Sequence, residues 1–156
     1  MSVKTGDKAP VFSLYNTNKE VVTLENFRGK NVVLVFFPMA FTRVCTAELC
    51  SMRDNMNVYE RLNAEVLGIS VDSLFTLDRF KADQNLNFPL LSDFNKEVSK
   101  AYGAFYEEFV FGMKGVSKRS AFVVDKEGAI RYAEVLESAG DLPNFEAIQE
   151  TLAKLN

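Results

Sequence analysis

The longest uninterrupted apolar run, NVVLVFFP at Asn31 to Pro38, mixes β-branched and aromatic residues with no polar break, the pattern of a strand buried on both faces. Pro38 stops it. EVLGISVD, from Glu65 to Asp72, predicts a second buried strand. SAFVVDKEGAIRYAEVL, from Ser120 to Leu136, predicts two more joined by a turn at Asp125 to Gly128. Between these runs the period lengthens to three and four. From Cys45 onward, Leu49, Met52, Met56, Tyr59 and Leu62 form one apolar stripe, with Glu48, Arg53, Asp54 and Glu60 largely off it, which predicts an amphipathic helix. The spacing predicts further helices over Leu74 to Asn85, Asn95 to Tyr102 and Leu142 to Leu155, the last opened by Asp141 and Pro143. Phe88 to Leu91 reads as a short extended piece, and VFSLYNTNKEVVTLENF near the start as a β-hairpin ahead of the core. Strands and helices alternating in this way predict an α/β fold, a central sheet with helices on both faces.

Composition narrows this picture. At 156 residues, 47% of them hydrophobic, the chain suffices for one real core and is short for two, so a single domain over 1–156 is expected. The net charge of −3, the pI near 5.1 and the scattered lysines and arginines provide no basic field for nucleic acid. No apolar run approaches the roughly 20 residues that span a bilayer, and MSVKTGDKAPVF lacks the apolar core of a signal peptide. A soluble, cytoplasmic protein with no membrane partner is expected. The chain has no histidine, which removes Cys-His and Ser-His-Asp catalysis and most catalytic zinc sites. Its two cysteines cannot complete a four-ligand structural zinc site, and a stapling disulfide is out of place in a reducing cytosol. Two readings of Cys45 and Cys50 remain: inert packing, or redox chemistry.

The stretch FFPMAFTRVCTAELCSMRD holds both thiols. A buried strand ends at Pro38, a short loop follows, and a helix begins near Cys45. The sulfur then lies in a first helical turn, where unsatisfied N–H groups and the positive end of the helix dipole stabilise an anion. Thr42 is placed to serve as an N-cap or as a loop hydroxyl at the same spot. On these residues alone, Cys45 as a small buried hydrophobe and Thr42 as a simple cap explain the pattern equally well.

Pro38, Thr42 and Cys45 together spell Pro-x-x-x-Thr-x-x-Cys, and with this motif the chain resembles the peroxiredoxin family. FFPMAFTRVCTAEL and RSAFVVDKEG extend the resemblance, and the element order is similar to that family's thioredoxin-like core with an N-terminal hairpin extension. A second cysteine five residues after the first resembles the bacterioferritin-comigratory (Q-type) branch, whereas FFPMAFT resembles the alkyl-hydroperoxide-reductase-E branch. Arg43 and Val44 replace the glycine often found before the cysteine in the Q-type branch.

The resemblance implies a thiol-dependent peroxidase without cofactor or metal, in which the Cys45 thiolate attacks a hydroperoxide and becomes a sulfenic acid. A free cysteine of pKa about 8.5 is already a few per cent ionised at pH 7, so complete ionisation gains only about 30-fold. Positioning of the O–O bond and stabilisation of the departing oxygen must supply the rest. By the same resemblance Thr42 contributes a hydroxyl at the sulfur, Arg119 holds thiolate and peroxide, Pro38 shields the sulfur from water, and Glu48 orients Arg119. Arg43 and Arg53 compete for the arginine role. Cys50 is expected to resolve the sulfenic acid as an intramolecular disulfide; direct resolution by an external thiol is the alternative. In one intact helix the two Cα atoms would lie about 8.6 Å apart, beyond the roughly 7 Å a disulfide tolerates, so the helix would have to unwind. The expected partners are a hydroperoxide and a thiol reductant, thioredoxin or a similar small redox protein, with the chain a monomer or homodimer. A thioredoxin-like disulfide reductase, which would normally carry Cys-x-x-Cys, and a noncatalytic redox sensor are the competing functions.

Overall fold

The computed structural model describes residues 3–156. Its centre is the predicted apolar run: β3 (Asn31–Phe36) has every residue buried. It lies parallel to β4 (Ala64–Ser70) on one side and antiparallel to β8 (Ser120–Val124) on the other. β9 (Ile130–Val135) folds back on β8 through the turn expected at Asp125 to Gly128, closed by a hydrogen bond from Gly128 N–H to the Asp125 carbonyl at 3.0 Å. The extended piece near Phe88 is β5 (Leu90–Ser92), parallel to β4. The N-terminal hairpin, β1 (Ser13–Asn16) and β2 (Val21–Thr23), is more than an appendage, because β1 pairs antiparallel with β5. The result is one mixed sheet of seven strands in the order β2-β1-β5-β4-β3-β8-β9.

Alternate residues of the central strands feed two cores. Val33, Val35, Ala121 and Val123 pack with residues from four helices: α1 (Arg43–Asp54), α2 (Met56–Arg61), α3 (Leu74–Gln84) and α5 (Phe145–Leu155). Val32, Leu34, Phe36, Phe122 and Val124 pack with Val98 of α4 (Glu97–Ala101), with Tyr102, and with Ala9 and Phe12 of the N-terminal segment. This is the period-two alternation of a sheet covered on both faces.

β4 stops at Ser70, two residues short of the expected Asp72, and three helices differ from the sequence expectation. The apolar stripe from Cys45 to Leu62 is carried by two helices, because Asn55 leaves helical geometry (φ −109°, ψ 15°) and turns its side-chain amide onto the Ser51 carbonyl at 2.8 Å. The last helix begins at Phe145, with Asn144 and not Asp141 as its cap; the Asn144 side-chain oxygen accepts from Ala147 N–H at 3.0 Å. The helix expected from Asn95 starts at Glu97, where the buried Asp93 carboxylate accepts from the N–H groups of Val98 and Ser99. A second, two-stranded sheet of β6 (Phe105–Tyr106) and β7 (Val116–Ser117) forms a hairpin beside the site. Among the described residues no helix is long and apolar enough to cross a membrane.

Candidate active site

β3 delivers the chain to Pro38, which is buried, and residues 37–42 turn it into α1. Asp72, just past the end of β4, holds this turn. Its carboxylate accepts from Ala40 N–H at 2.8 Å and from the Ser70 hydroxyl at 2.6 Å. Phe41 takes a left-handed backbone (φ 69°) and rests edge-on against Phe80 of α3, with ring centroids 5.1 Å apart. The helix starts two residues earlier than Cys45, with Thr42 at the N-cap position in extended backbone. The Thr42 hydroxyl does not cap it: the group donates to the Met39 carbonyl at 2.8 Å. Among the described residues no side chain caps the first-turn N–H groups, which stay available to an anion.

Cys45 is buried on the inner face of this first turn. Arg119, the residue just before β8, reaches it, and both terminal guanidinium nitrogens lie 3.3 Å from the sulfur. The same guanidinium is held on two further sides. Nη1 donates to Glu48 at 2.7 Å, while Nη2 and Nε donate to the Ala139 carbonyl at 2.9 and 3.2 Å. Glu48 is fully buried, a correction to its expected place off the apolar stripe. It lies three residues from Cys45 and four from Met52, at the edge of the stripe, and its pairing with Arg119 is what allows a carboxylate to enter there. Its second oxygen is buried and has no partner among the described residues. Burial pushes the Glu48 carboxyl up to about 7, against the pull of Arg119 in the other direction. Burial pushes the Arg119 guanidinium down, and its negative neighbours Glu48 and Cys45 outweigh this and hold it above its ordinary value.

The structure thus brings Cys45, Arg119 and Glu48 into direct contact. Pro38 and Thr42 line the cleft that opens above the sulfur, along with Arg43 at its rim and Phe109 to Phe111 and Met113 of the β6–β7 hairpin. Arg53 is elsewhere: it pairs with Asp54 at 2.9 Å and donates to the Gln84 carbonyl. Cys50 lies farther along α1, half-buried, with its thiol donating to the Gln84 side chain at 3.4 Å. Both cysteines are free, in one continuous helix. Two contributors escaped the sequence reading. The Ala139 carbonyl carries no side-chain signal, and Asp72 looked like the last residue of a strand.

The model of the AhpC/TSA family matches residues 5–133. The chain belongs to this family. Among curated relatives of this peroxiredoxin, alkyl hydroperoxide reductase E of Mycobacterium tuberculosis (strain ATCC 25618 / H37Rv) is 40% identical over 156 aligned residues, covering 98% of each chain. Peroxiredoxin Bcp of Escherichia coli (strain K12) is 39% identical over 132 residues, covering 83% of this chain and 84% of its own. Both branches suggested by the sequence are therefore related to this peroxiredoxin at nearly equal identity. Its fold is similar to the crystal structure of peroxidoxin BcpB from Mycobacterium tuberculosis, with a TM-score of 0.86, 28% identity and 98% of each chain covered.

Proposed function

We propose that the chain is a thiol-dependent peroxidase whose peroxidatic residue is Cys45. The observation that carries this reading is the double approach of Arg119 to the Cys45 sulfur, at 3.3 Å from each terminal nitrogen, in a buried site at a helix N-terminus. The thiolate attacks the terminal oxygen of a hydroperoxide, ROOH. An S–O bond forms, the O–O bond breaks, the sulfur is oxidised to a sulfenic acid, and the departing RO⁻ takes up a proton as ROH. Arg119 supplies fixed donors where negative charge grows, and Glu48 and the Ala139 carbonyl keep its fork oriented. Thr42, its hydroxyl proton committed to the Met39 carbonyl, keeps only lone pairs to accept a hydrogen bond in the cleft above the sulfur, and Pro38 keeps bulk water from it. The Cys50 thiol then displaces the sulfenic oxygen, forming a disulfide and releasing water. A dithiol such as thioredoxin, or a similar small redox protein of the cytoplasm, restores both thiols with two electrons.

Peroxide loss followed with purified protein and a thiol reductant tests this. Catalytic consumption that disappears in Cys45→Ser supports it. Reduction of insulin-type disulfides without peroxide turnover would favour a disulfide reductase, and a stop after one equivalent would favour a sensor.

A further inference from the structure

Cys45, Glu48 and Arg119 form one buried contact whose charges cancel only if a proton stays in it. The three side chains are sealed from solvent, at 1%, 0% and 2% exposure. Arg119 carries a single positive charge at any working pH. Two acids face it, and they meet on the same atom: Nη1 lies 3.3 Å from the Cys45 sulfur and 2.7 Å from Glu48 Oε1. With both acids ionised the cluster holds one uncompensated negative charge, which is costly away from water. With one of them protonated it is neutral. The carboxyl has the free place for that proton. Its Oε2 has no partner among the described residues, whereas Oε1 and the sulfur both take donors from Arg119.

The surroundings add no competing charge. Among the described residues Arg119 is the only charged side chain bonded to Glu48. β3, β8 and α5 bring apolar groups such as Val35, Ala121 and Ile148 to the core that α1 covers, and Glu146 and Glu150 of α5 are exposed. Glu134 of β9 is taken up by the Tyr132 hydroxyl and Asn144 N–H. Tyr106 of β6 donates to the Glu137 carbonyl, and Arg43 stands at the rim of the cleft.

We propose that Cys45 and Glu48 share one proton through Arg119: Glu48 holds it while Cys45 is a thiolate and gives it up when Cys45 is oxidised. The oxidised half of this cycle rests on the peroxidase reading above. The Cys45 thiolate and ROOH give the sulfenic acid and RO⁻. RO⁻ takes a proton from water and becomes ROH. Glu48 returns a proton to water and is left as the carboxylate, with Arg119 now released from the thiolate. The cluster is neutral before and after, and the medium neither gains nor loses a proton. Glu48 is not among the side chains that line the cleft, so it acts through Arg119 as a positioning residue whose ionisation follows the state of the sulfur. Burial already lifts its carboxyl to about 7, which brings the exchange near neutral pH, and a thiolate on the same guanidinium opposes its ionisation further.

Infrared difference spectroscopy follows the carbonyl stretch of the protonated Glu48 carboxyl, identified by its loss in Glu48→Gln. The band is titrated with pH in the reduced wild type, in Cys45→Ser, and in Cys50→Ser before and after one equivalent of hydrogen peroxide. Removing the thiolate, by serine or by oxidation, is expected to lower the midpoint by about 1 to 3 pH units, the size of a close charge's effect. A carboxylate that only orients Arg119 would keep one midpoint in every form, and that result overturns the proposal. So does a midpoint that falls in Cys45→Ser and stays put on oxidation. A second readout works without Glu48→Gln, should that variant fail to fold. At a pH between the two midpoints, an indicator dye in weakly buffered Cys50→Ser should register no net proton uptake on oxidation; uptake of one proton per Cys45 oxidised overturns the proposal. If Cys45→Ser lowers the midpoint while the wild type is inert to peroxide, the shared proton stands and the peroxidase reading falls.

Discussion

Arg119 and Cys45 stand 74 residues apart in sequence and meet with both terminal guanidinium nitrogens 3.3 Å from the sulfur. Each of those nitrogens has a second acceptor, Glu48 for one and the Ala139 carbonyl for the other, so the plane of the fork is set from three directions. Donors already in place need no rearrangement when charge shifts from sulfur to the departing oxygen. A lysine is a point charge on a flexible stem and cannot reproduce this fork. Arg119→Lys is therefore expected to slow the peroxide step by about 10²- to 10³-fold. Single-turnover oxidation of Cys45 measures it, and a loss confined to the reductant step would remove Arg119 from this role.

Glu48 should give the protein a pH-dependent stability of its own. Its carboxyl is lifted from 4.5 to about 7 in the fold, chiefly by burial. The folded state therefore holds a proton that the unfolded chain has lost between those values. The stabilisation is fully present below pH 4.5 and is lost as pH rises through 7. Glu48→Gln has no such titration. Relative to the wild type, its urea midpoint should improve from pH 5 to pH 8; a difference independent of pH would mean that Glu48 is already ionised at pH 5. Glutamine keeps an acceptor for Arg119 but loses the charge, so the peroxide step should slow about ten-fold, as for a weakened charge-assisted hydrogen bond.

Asp72 tests whether the turn before α1 is positioned from the end of β4. Replacing it by alanine strands the Ala40 N–H and the Ser70 hydroxyl, at a cost of about 1–3 kcal/mol. Because it holds the loop that covers the sulfur, Asp72→Ala should lower kcat/KM for peroxide and speed alkylation of Cys45 in the resting enzyme as Pro38 moves away. Crystallography of the variant should show Pro38 to Phe41 displaced. An unshifted loop with normal turnover would make Asp72 purely a strand-end residue.

Much of this architecture is written in local pattern. The run at Asn31 to Phe36 could only be a strand covered on both faces, and the hairpin of β8 and β9 announces its turn. What stayed hidden depends on partners distant in sequence. The burial of Glu48 is invisible to periodicity, since its charge argues for solvent until Arg119 arrives from 71 residues away. The β6–β7 hairpin has strands of two residues, too short for any alternation to register. Asn144 was overlooked as a cap because Asp141 and Pro143 offered an earlier, equally plausible start. Thr42 shows the opposite failure: its place is that of a cap, and its hydroxyl is spent on Met39.

Cys50 poses the largest conformational demand. It shares the unbroken helix α1 with Cys45, and five residues of ideal helix separate their Cα atoms by about 8.6 Å, beyond the roughly 7 Å that a disulfide spans. Resolution by Cys50 therefore requires the first turns of α1 to unwind after oxidation. The contacts of the reduced helix show what must break: Arg119 has to release the sulfur, and the Cys50 thiol has to leave Gln84. The far end of the helix is pinned more firmly, with Arg53 bonded to the Gln84 carbonyl and Asn87 donating to the Arg53 carbonyl at 3.3 Å. Unwinding is thus expected to run from Thr42 to about Met52 and to stop there. After one equivalent of peroxide, mass spectrometry should find a Cys45–Cys50 linkage, and amide hydrogen exchange should accelerate across Val44 to Met52 while α2 keeps its protection. Arg53→Ala should extend the exchanging segment toward Asn55. In Cys50→Ser the sulfenic acid should persist, and turnover should fall with a dithiol reductant held constant. A lasting sulfenic acid beside a free Cys50 in the wild type, together with unchanged turnover in Cys50→Ser, would instead mean that an external thiol resolves Cys45 directly and that α1 stays folded throughout the cycle.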